Sequence, residues 1–323
     1  MCTAISYERG GRLFGRNLDV DRPYGESVII TPKDYTLSFR KRESIVHHYS
    51  FIGAGIESRG YPLYFDGVNE HGLCIAGLNF VKNARYFPAD DSKINVTPFE
   101  LIPYVLARFK CVGEAIGELG NINLVDIPFS RELPLAELHW LIADKKEAIV
   151  LEQTREGLRI YESRVGILTN NPPYPFHIEN LRTYMSLSPH TPINNFAPSI
   201  EISPYSNGLG AFGLPGDLSS TSRFIRASFH AQNSIKYSEK AGDVYQLFHI
   251  LSSVAQIEGS VYTEDGYERT EYSAVMDPDT ATYYYRTYTS SEIHAVKLTE
   301  EDAESSTLKF YPLSKSHNIT YQN

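Results

Sequence analysis

Apolar residues in the first third of the chain come in short runs, some alternating with polar residues and some apolar throughout, separated by Gly, Pro and Asn. That pattern predicts strands over residues 3–7, 13–18, 27–31, 49–53, 61–66 and 73–78. The first two flank Gly10-Gly11 and read as a hairpin, which would bring Arg16 and Asp19 next to the chain start. The period then changes. Thr97-Pro98-Phe99-Glu100 has the make-up of a capping box with proline at the first helical position. Leu101, Ile102, Val105, Leu106 and Phe109 follow at helical spacing. A further helix is expected over 113–119, then strands over 138–143, 148–153 and 165–169. Helices are expected over 178–186, 220–231 and 244–254, and strands again over 271–276, 282–289 and 293–298. Strand blocks and helix blocks alternate in groups, which predicts α+β with antiparallel sheets and not a strict strand–helix alternation. Residues 188–210, rich in Pro, Asn and Ser, are long for a loop in a compact domain, so a functional role or subunit contacts are expected there.

Composition narrows the partners more than the fold. The 323 residues suffice for a large core, and 42% hydrophobic with 21% charged is ordinary for a globular protein. Tyr occurs 23 times against one Trp, which suits strands and amphipathic pocket walls. The net charge of -9, with no Lys/Arg-rich run, predicts no nucleic-acid partner. A small anion remains compatible, since one or two local arginines can hold it. The start MCTAISYERGG lacks a basic, then apolar secretory pattern, and no apolar run approaches the roughly 18 residues of a membrane helix. A cytoplasmic protein without membrane insertion is expected. Cys2, Cys74 and Cys111 are odd in number and far apart, so no disulfide framework is implied.

Several motifs lead nowhere. Gly208–Gly213 spells G-x-G-x-x-G, but Ser-Pro-Tyr-Ser-Asn precedes it and Leu-Pro-Gly follows, where a dinucleotide site needs a strand and a helix; a flexible turn is expected. An oxidoreductase reading falls with it. His47-His48 and the scattered remaining histidines lack metal-ligand spacing, so no metal is expected. A G-x-S-x-G elbow is absent.

Cys2 is different. It is small enough for Met1 to be removed, leaving a thiol and a free α-amine on one residue. An α-amine with a reference pKa of about 7.7–8.0 can take the thiol proton and later give it to a leaving amine. The segment Phe14-Gly15-Arg16-Asn17-Leu18-Asp19 offers a cation to favour the thiolate and a carboxylate to orient the amine.

With M-C-T-A at the start and F-G-R-N-x-D shortly after, the chain resembles the choloylglycine hydrolase family, which holds bile salt hydrolases and penicillin V acylases. Glu70–Phe80 is similar to the family's E-x-G-L-x-x-A-G-L-N-F segment, Leu168–Pro172 to its L-T-N-x-P, and Gly213–Phe224 to its G-x-P-G-D-x-S-S-x-S-R-F. The resemblance implies Cys2 as nucleophile, assisted by Arg16 and Asp19. It implies an oxyanion site made of the Asn170 side-chain amide and the Asn79 backbone N–H, and Arg223 as a support. No role is implied for Cys74 or Cys111. The implied fold is the four-layer αββα sandwich of N-terminal-nucleophile hydrolases, one domain over 1–323, commonly a homotetramer, with 188–210 as candidate assembly segment and no cofactor or metal.

Asn79 stands where bile salt hydrolases usually show Asn and penicillin V acylases commonly Tyr. Leu18, Val20, Tyr24, Phe65, Ile127, Phe129, Leu133 and Leu135 would form an apolar surface suited to a steroid. The expected reaction is therefore hydrolysis of glycine- or taurine-conjugated bile salts through a thioester, with penicillin V a poor substrate. A penicillin V or other amide acylase, and a non-catalytic binding member, are the alternatives.

Overall fold

The computed structural model describes residues 1–8 and 12–323. In chain order its first strands are β1 (Cys2–Glu8), β2 (Arg12–Val20), β3 (Ser27–Thr31), β4 (Phe51–Ser58), β5 (Tyr61–Tyr64), β6 (Asp66–Asn69), β7 (Cys74–Asn79) and β8 (Ile94–Val96). Helices α1 (Leu101–Arg108) and α2 (Val112–Leu119) lead to β9 (Ile122–Leu124), β10 (Leu138–Ala143), β11 (Ala148–Thr154), β12 (Gly157–Glu162) and β13 (Ile167–Leu168). Then come α3 (Tyr174–Asn180), α4 (Ser220–Asn233), α5 (Lys240–Ser252), β14 (Val261–Thr263), β15 (Gly266–Asp277), β16 (Thr282–Thr287), β17 (His294–Lys297), α6 (Glu300–Ala303) and β18 (Lys309–Pro312).

Two antiparallel sheets stack face to face. One runs β13-β1-β2-β15-β16-β17 with β14 on β15, the other β12-β11-β10-β7-β6-β4-β3-β18 with β5 on β4. The core explains the layering. Apolar residues of β1, β2, β15 and β16 meet those of β4, β6, β7 and β10 between the sheets, and Phe224, Leu247, Phe248 and Leu251 of α4 and α5 cover the first sheet's outer face. A second core, with Leu101, Val105, Leu106 and Val112 of α1 and α2, covers the second sheet's outer face. The order α, β, β, α is the expected four-layer sandwich, and the runs that stay apolar throughout are the strands buried on both faces. Gly53 of β4 lets the sheet close tightly at its centre: a Cβ there would stand 2.0 Å from the Asp66 carbonyl oxygen. No helix among the described residues is long and apolar enough to cross a membrane.

The Gly10-Gly11 turn lies outside the described residues, but its strands pair as expected, with Glu8 opposite Arg12 and Ala4 opposite Arg16. Other boundaries differ from the sequence pattern for physical reasons. The helix expected from Thr97 opens with a 3₁₀ turn, Pro98–Glu100, and stops at Arg108, with Phe109 already extended. Within the expected capping box, the Glu100 carboxylate accepts from the Thr97 N–H at 2.9 Å. The helix placed over 178–186 begins at Tyr174 and passes into a 3₁₀ segment, Leu181–Tyr184. Pro175 is tolerated in its first turn, where a missing N–H costs nothing. The helix over 244–254 starts earlier, at Lys240, because its polar first turn carries no apolar signal. The run 61–66 divides into β5 and β6, and 165–169 contributes only Ile167–Leu168. The short pair β8–β9, unanticipated from the sequence, is parallel. Gly208–Gly213 forms a short turn with a 3₁₀ segment at Leu209–Ala211 and positive φ at both end glycines.

Candidate active site

Strand pairing brings the sequence-predicted polar residues to one end of the first sheet. Cys2 lies opposite Leu18 and Ala4 opposite Arg16, so Cys2 and Arg16 are diagonal neighbours on the same face. That face looks into the layer between the sheets. Arg16 Nη2 donates to Cys2 Sγ at 3.2 Å, and its Nη1 donates to the Phe65 carbonyl at 2.9 Å. Nη1 also stands 3.4 Å from Asp66 Oδ2, a pair with no solvent exposure on either side. Asp66 is in turn held by the Tyr272 hydroxyl at 2.6 Å, the Tyr283 hydroxyl at 2.8 Å and the Ala54 N–H at 3.1 Å. Burial, reinforced by Asp66, pushes both tyrosines well above their usual range, so they stay protonated donors. Burial would lower the Arg16 pKa, but the acidic groups around it, Tyr272, Cys2 and Asp66 first among them, hold it up. The guanidinium is therefore a fixed positive charge beside the thiol.

The opposite face of β1 and β2 looks toward α4. From α4, Arg223 Nη1 donates to the Cys2 carbonyl at 2.5 Å and to Thr3 Oγ1 at 2.7 Å, while Nη2 donates to Asn170 Oδ1 at 2.7 Å. Ser219 caps α4, accepting from the Ser222 N–H at 3.4 Å, and so sets where the helix starts and where Arg223 points. Burial lowers the Arg223 pKa, partly offset by Asp19, Cys2 and Glu268.

Asn170 follows β13. Its Oδ1 accepts from the Cys2 N–H at 2.8 Å and from Arg223, so its Nδ2 faces the other way and donates to the Asn79 carbonyl at 2.7 Å. Two donors on one oxygen fix which side of the amide is which. Asn79 lies opposite Leu138, while the adjacent Phe80 N–H donates to Glu137 O at 2.7 Å. Asn79 is therefore at a non-hydrogen-bonded position of the β7–β10 ladder, and both its N–H and its carbonyl turn away from β10, toward Asn170. Its side chain is exposed, so the backbone is what it brings to the site.

Met1 extends the ladder by one residue. The Asp19 N–H donates to Met1 O at 3.0 Å, and the Met1 ammonium donates to Asp19 O at 2.9 Å and to Glu268 Oε1 at 2.6 Å. The Asp19 carboxylate accepts from Thr270 Oγ1 at 2.6 Å and keeps Oδ2 without a partner. Burial pushes the Asp19 pKa up, opposed by the N-terminal ammonium and Arg223. With Met1 in place, the Cys2 nitrogen is held by Asn170 and not by Asp19.

Cys2, Arg16, Asp19, Asn79, Asn170 and Arg223 thus converge. Of the apolar residues expected to meet a substrate, Leu18 and Val20 line β2 beyond Cys2, and the Tyr24 ring stands 6.1 Å from Phe65, whose carbonyl holds Arg16. Ile127, Phe129, Leu133 and Leu135 lie half-buried in the loop between β9 and β10. Phe129 packs on Phe99 and Tyr61 beside a cavity of about 360 Å³, and Leu135 packs against the outer core of the second sheet. The contacts of Phe129 and Leu135 are with the second sheet's side of the molecule and not with Cys2. Asp66, Tyr272, Tyr283, Thr270 and Glu268 escaped the sequence reading. A lone Asp closing an apolar run, and the Tyr-rich C-terminal strands, were the available signals.

A family model described as linear amide C–N hydrolases, choloylglycine hydrolase family, matches residues 2–311. The chain is 50% identical over 314 residues to a bile salt hydrolase/transferase of Lactiplantibacillus plantarum, covering 97% of each chain. It is 37% identical to a conjugated bile acid hydrolase of Lactobacillus gasseri over 96% of this chain and 100% of that one. The crystal structure of a variant of the conjugated bile acid hydrolase from Clostridium perfringens superposes with a TM-score of 0.92 at 33% identity, covering 100% of both chains. A penicillin V acylase from Agrobacterium tumefaciens, at 20% identity and a TM-score of 0.77 over 96% of this chain and 90% of that one, shares the fold.

Proposed function

The chain belongs to the choloylglycine hydrolase family of linear amide C–N hydrolases, and we propose that the amide it cleaves joins a bile acid to glycine or taurine, with Cys2 as nucleophile. The bile-salt names of the Lactiplantibacillus and Lactobacillus relatives support the substrate class. So does the apolar wall of Leu18, Val20, Tyr24 and Phe65 around the Cys2 end of β2. A rigid steroid face gains about 25 cal/mol for each Å² it buries there, and a phenoxyacetyl group covers less.

The observation that carries the mechanism is the Arg16 guanidinium 3.2 Å from Cys2 Sγ, opposite an amide network that ties the Cys2 nitrogen to Asn170. Removal of Met1 frees the Cys2 α-amine at that nitrogen, with the carboxylates of Asp19 and Glu268 left to face the new amine. The amine takes the thiol proton, and the thiolate, favoured by Arg16, attacks the amide carbon. Charge developing on the carbonyl oxygen is met by the Asn79 N–H and by the second hydrogen of Asn170 Nδ2. One such donor is worth about 2.7–4 kcal/mol of barrier. The ammonium then protonates the leaving nitrogen, and glycine or taurine departs from a thioester. Water, giving its proton to the same amine, attacks the thioester, and its collapse returns the thiol and the free bile acid. Every group needed comes from the chain, so the reading requires no cofactor.

Assembly belongs to the same proposal: one domain over 1–323, four copies, a cytoplasmic location, and residues 188–210 at the contact. The exposed Ile193, Phe196, Ile200, Ile202 and Tyr205 in that segment support the contact, because large apolar side chains so concentrated are costly to leave in water.

Two measurements on one preparation test the reading. Intact mass should show Met1 absent in active protein, and kcat/KM for glycocholate and taurocholate should far exceed that for penicillin V. Full activity with Met1 retained would sink the mechanism, and a clear preference for penicillin V would overturn the substrate class while sparing the nucleophile.

A further inference from the structure

Behind the Asn170 side chain, two buried imidazoles hold two consecutive backbone carbonyls. His177 of α3 places Nε2 3.0 Å from Asn170 O, and His139 of β10 places Nε2 2.9 Å from Thr169 O. A carbonyl only accepts, so each Nε2 carries the proton and donates. Both rings are fully buried. The His139 ring stacks on Phe80 at 4.3 Å with 7° between planes, and the His177 ring stacks on Phe224 at 4.7 Å with 20°. Phe80 directly follows Asn79, and Phe224 directly follows Arg223. Each imidazole therefore packs against the neighbour of one site residue, while His177 holds the Asn170 carbonyl and His139 the carbonyl just before it.

A carboxylate joins the two. Glu152 Oε1 meets His139 Nδ1 at 3.0 Å and accepts from the N–H of Tyr174, the first residue of α3, also at 3.0 Å. The Asn170 N–H donates to Ser220 Oγ at 2.8 Å, next to the N-cap of α4. Asn170 is thus fixed at its N–H, its carbonyl, its preceding carbonyl and its side-chain oxygen. The remaining Nδ2 hydrogen is the one aimed by all of these.

We propose that His139 and His177 are positioning residues of the hydrolytic reaction, setting the Asn170 amide against the Asn79 backbone so that both donors meet the oxyanion. The inference rests on the oxyanion reading given above. It assigns to the imidazoles neither proton transfer nor contact with substrate. Burial lowers the His177 pKa, in keeping with a neutral ring that donates through Nε2 alone. A donor displaced by about 1 Å costs on the order of 10²-fold in rate, so the effect belongs in kcat and not in substrate affinity.

The test compares His177→Leu, which removes the donor, with His177→Gln, whose side-chain amide can present an N–H near the same point. It adds His139→Leu/Glu152→Leu, which removes the second ring without stranding a buried carboxylate. Two rates are read for each: turnover of glycocholate, and alkylation of Cys2 by iodoacetamide followed by mass, which needs the thiol but no oxyanion donor. For His177→Leu and the double variant, kcat should fall on the order of 10²-fold with KM little changed and alkylation at the parent rate. His177→Gln should recover most of the lost kcat. Unchanged kcat in His177→Leu overturns the proposal. So does a parallel loss of kcat and alkylation, which would mark a general structural role. If alkylating Cys2 of the parent protein leaves turnover intact, the nucleophile reading itself fails, a result distinguishable from either.

Discussion

Cys2 and Cys74 are the same side chain in the same apolar layer between the two sheets, one on β1 and the other on β7. Both are buried, and one difference in their surroundings is the charge beside the sulfur. Cys74 has the Gly72 carbonyl 3.8 Å from its sulfur and no guanidinium; burial, then Asp277, Asp144 and Asp66, raise its pKa well above the ordinary thiol range. Cys2 has Arg16 at 3.2 Å. Asp66 acts on both with opposite results: it disfavours a thiolate at Cys74, and by anchoring Arg16 it keeps a cation in place for Cys2. Burial alone makes a thiol inert; burial beside a paired cation makes it usable.

Exchanging either sulfur breaks the comparison most sharply. Cys2→Ala should lower kcat for glycocholate on the order of 10⁶-fold, the scale of removing a covalent nucleophile. Its urea midpoint should stay close to the parent's. Cys74→Ala should turn over at the parent rate. Comparable losses in the two variants would mean that the guanidinium does not distinguish them.

The next largest effect follows from removing the cation. Arg16→Met leaves Asp66 buried and unpaired, which costs about 3–5 kcal/mol of stability in denaturant titration. Arg16→Met/Asp66→Asn removes the stranded charge while its amide oxygen still accepts from the Tyr283 hydroxyl and the Ala54 N–H and its Nδ2 donates to the Tyr272 oxygen, and should regain most of that loss. Alkylation of Cys2 at neutral pH should stay slow in both variants. If the double variant reacts as fast as the parent, Arg16 serves the fold alone and the thiolate owes it nothing.

These variants also mark what the sequence could carry. Arg16 and Asp19 were legible because a two-strand register brings them beside Cys2 within twenty residues. Asn170 and Arg223 were legible only through family motifs, since nothing local distinguishes an Asn in a Leu-Thr-Asn turn from turn chemistry. Asp66 was not legible: its partners Arg16, Tyr272 and Tyr283 come from β2, β15 and β16, and facing sheets are not written in any local period. The α+β class and the long runs of strands followed from periodicity, while helix starts at Tyr174 and Lys240 were displaced because polar or proline-bearing first turns carry no apolar stripe. Apolarity likewise nominated the 127–135 loop without saying which core it serves, and Leu135 packs on the outer one.

The smallest effect concerns Cys74 by itself. Its raised pKa leaves little thiolate at neutral pH, so native-state alkylation at this residue should be slow near pH 7 and should rise with pH. Zero exposure adds a second barrier, because reagent reaches the sulfur only when the sheet opens locally. The two contributions separate with urea: sub-denaturing concentrations should speed Cys74 alkylation by favouring opening, while the Cys2 rate stays nearly flat. Cys74→Ala should cost only about 1 kcal/mol, since one sulfur is removed from a packed layer without stranding a polar partner. Rapid alkylation of Cys74 in the native protein at neutral pH would show that burial and acidic surroundings do not quench a thiol here, and the contrast with Cys2 would then need a cause other than Arg16.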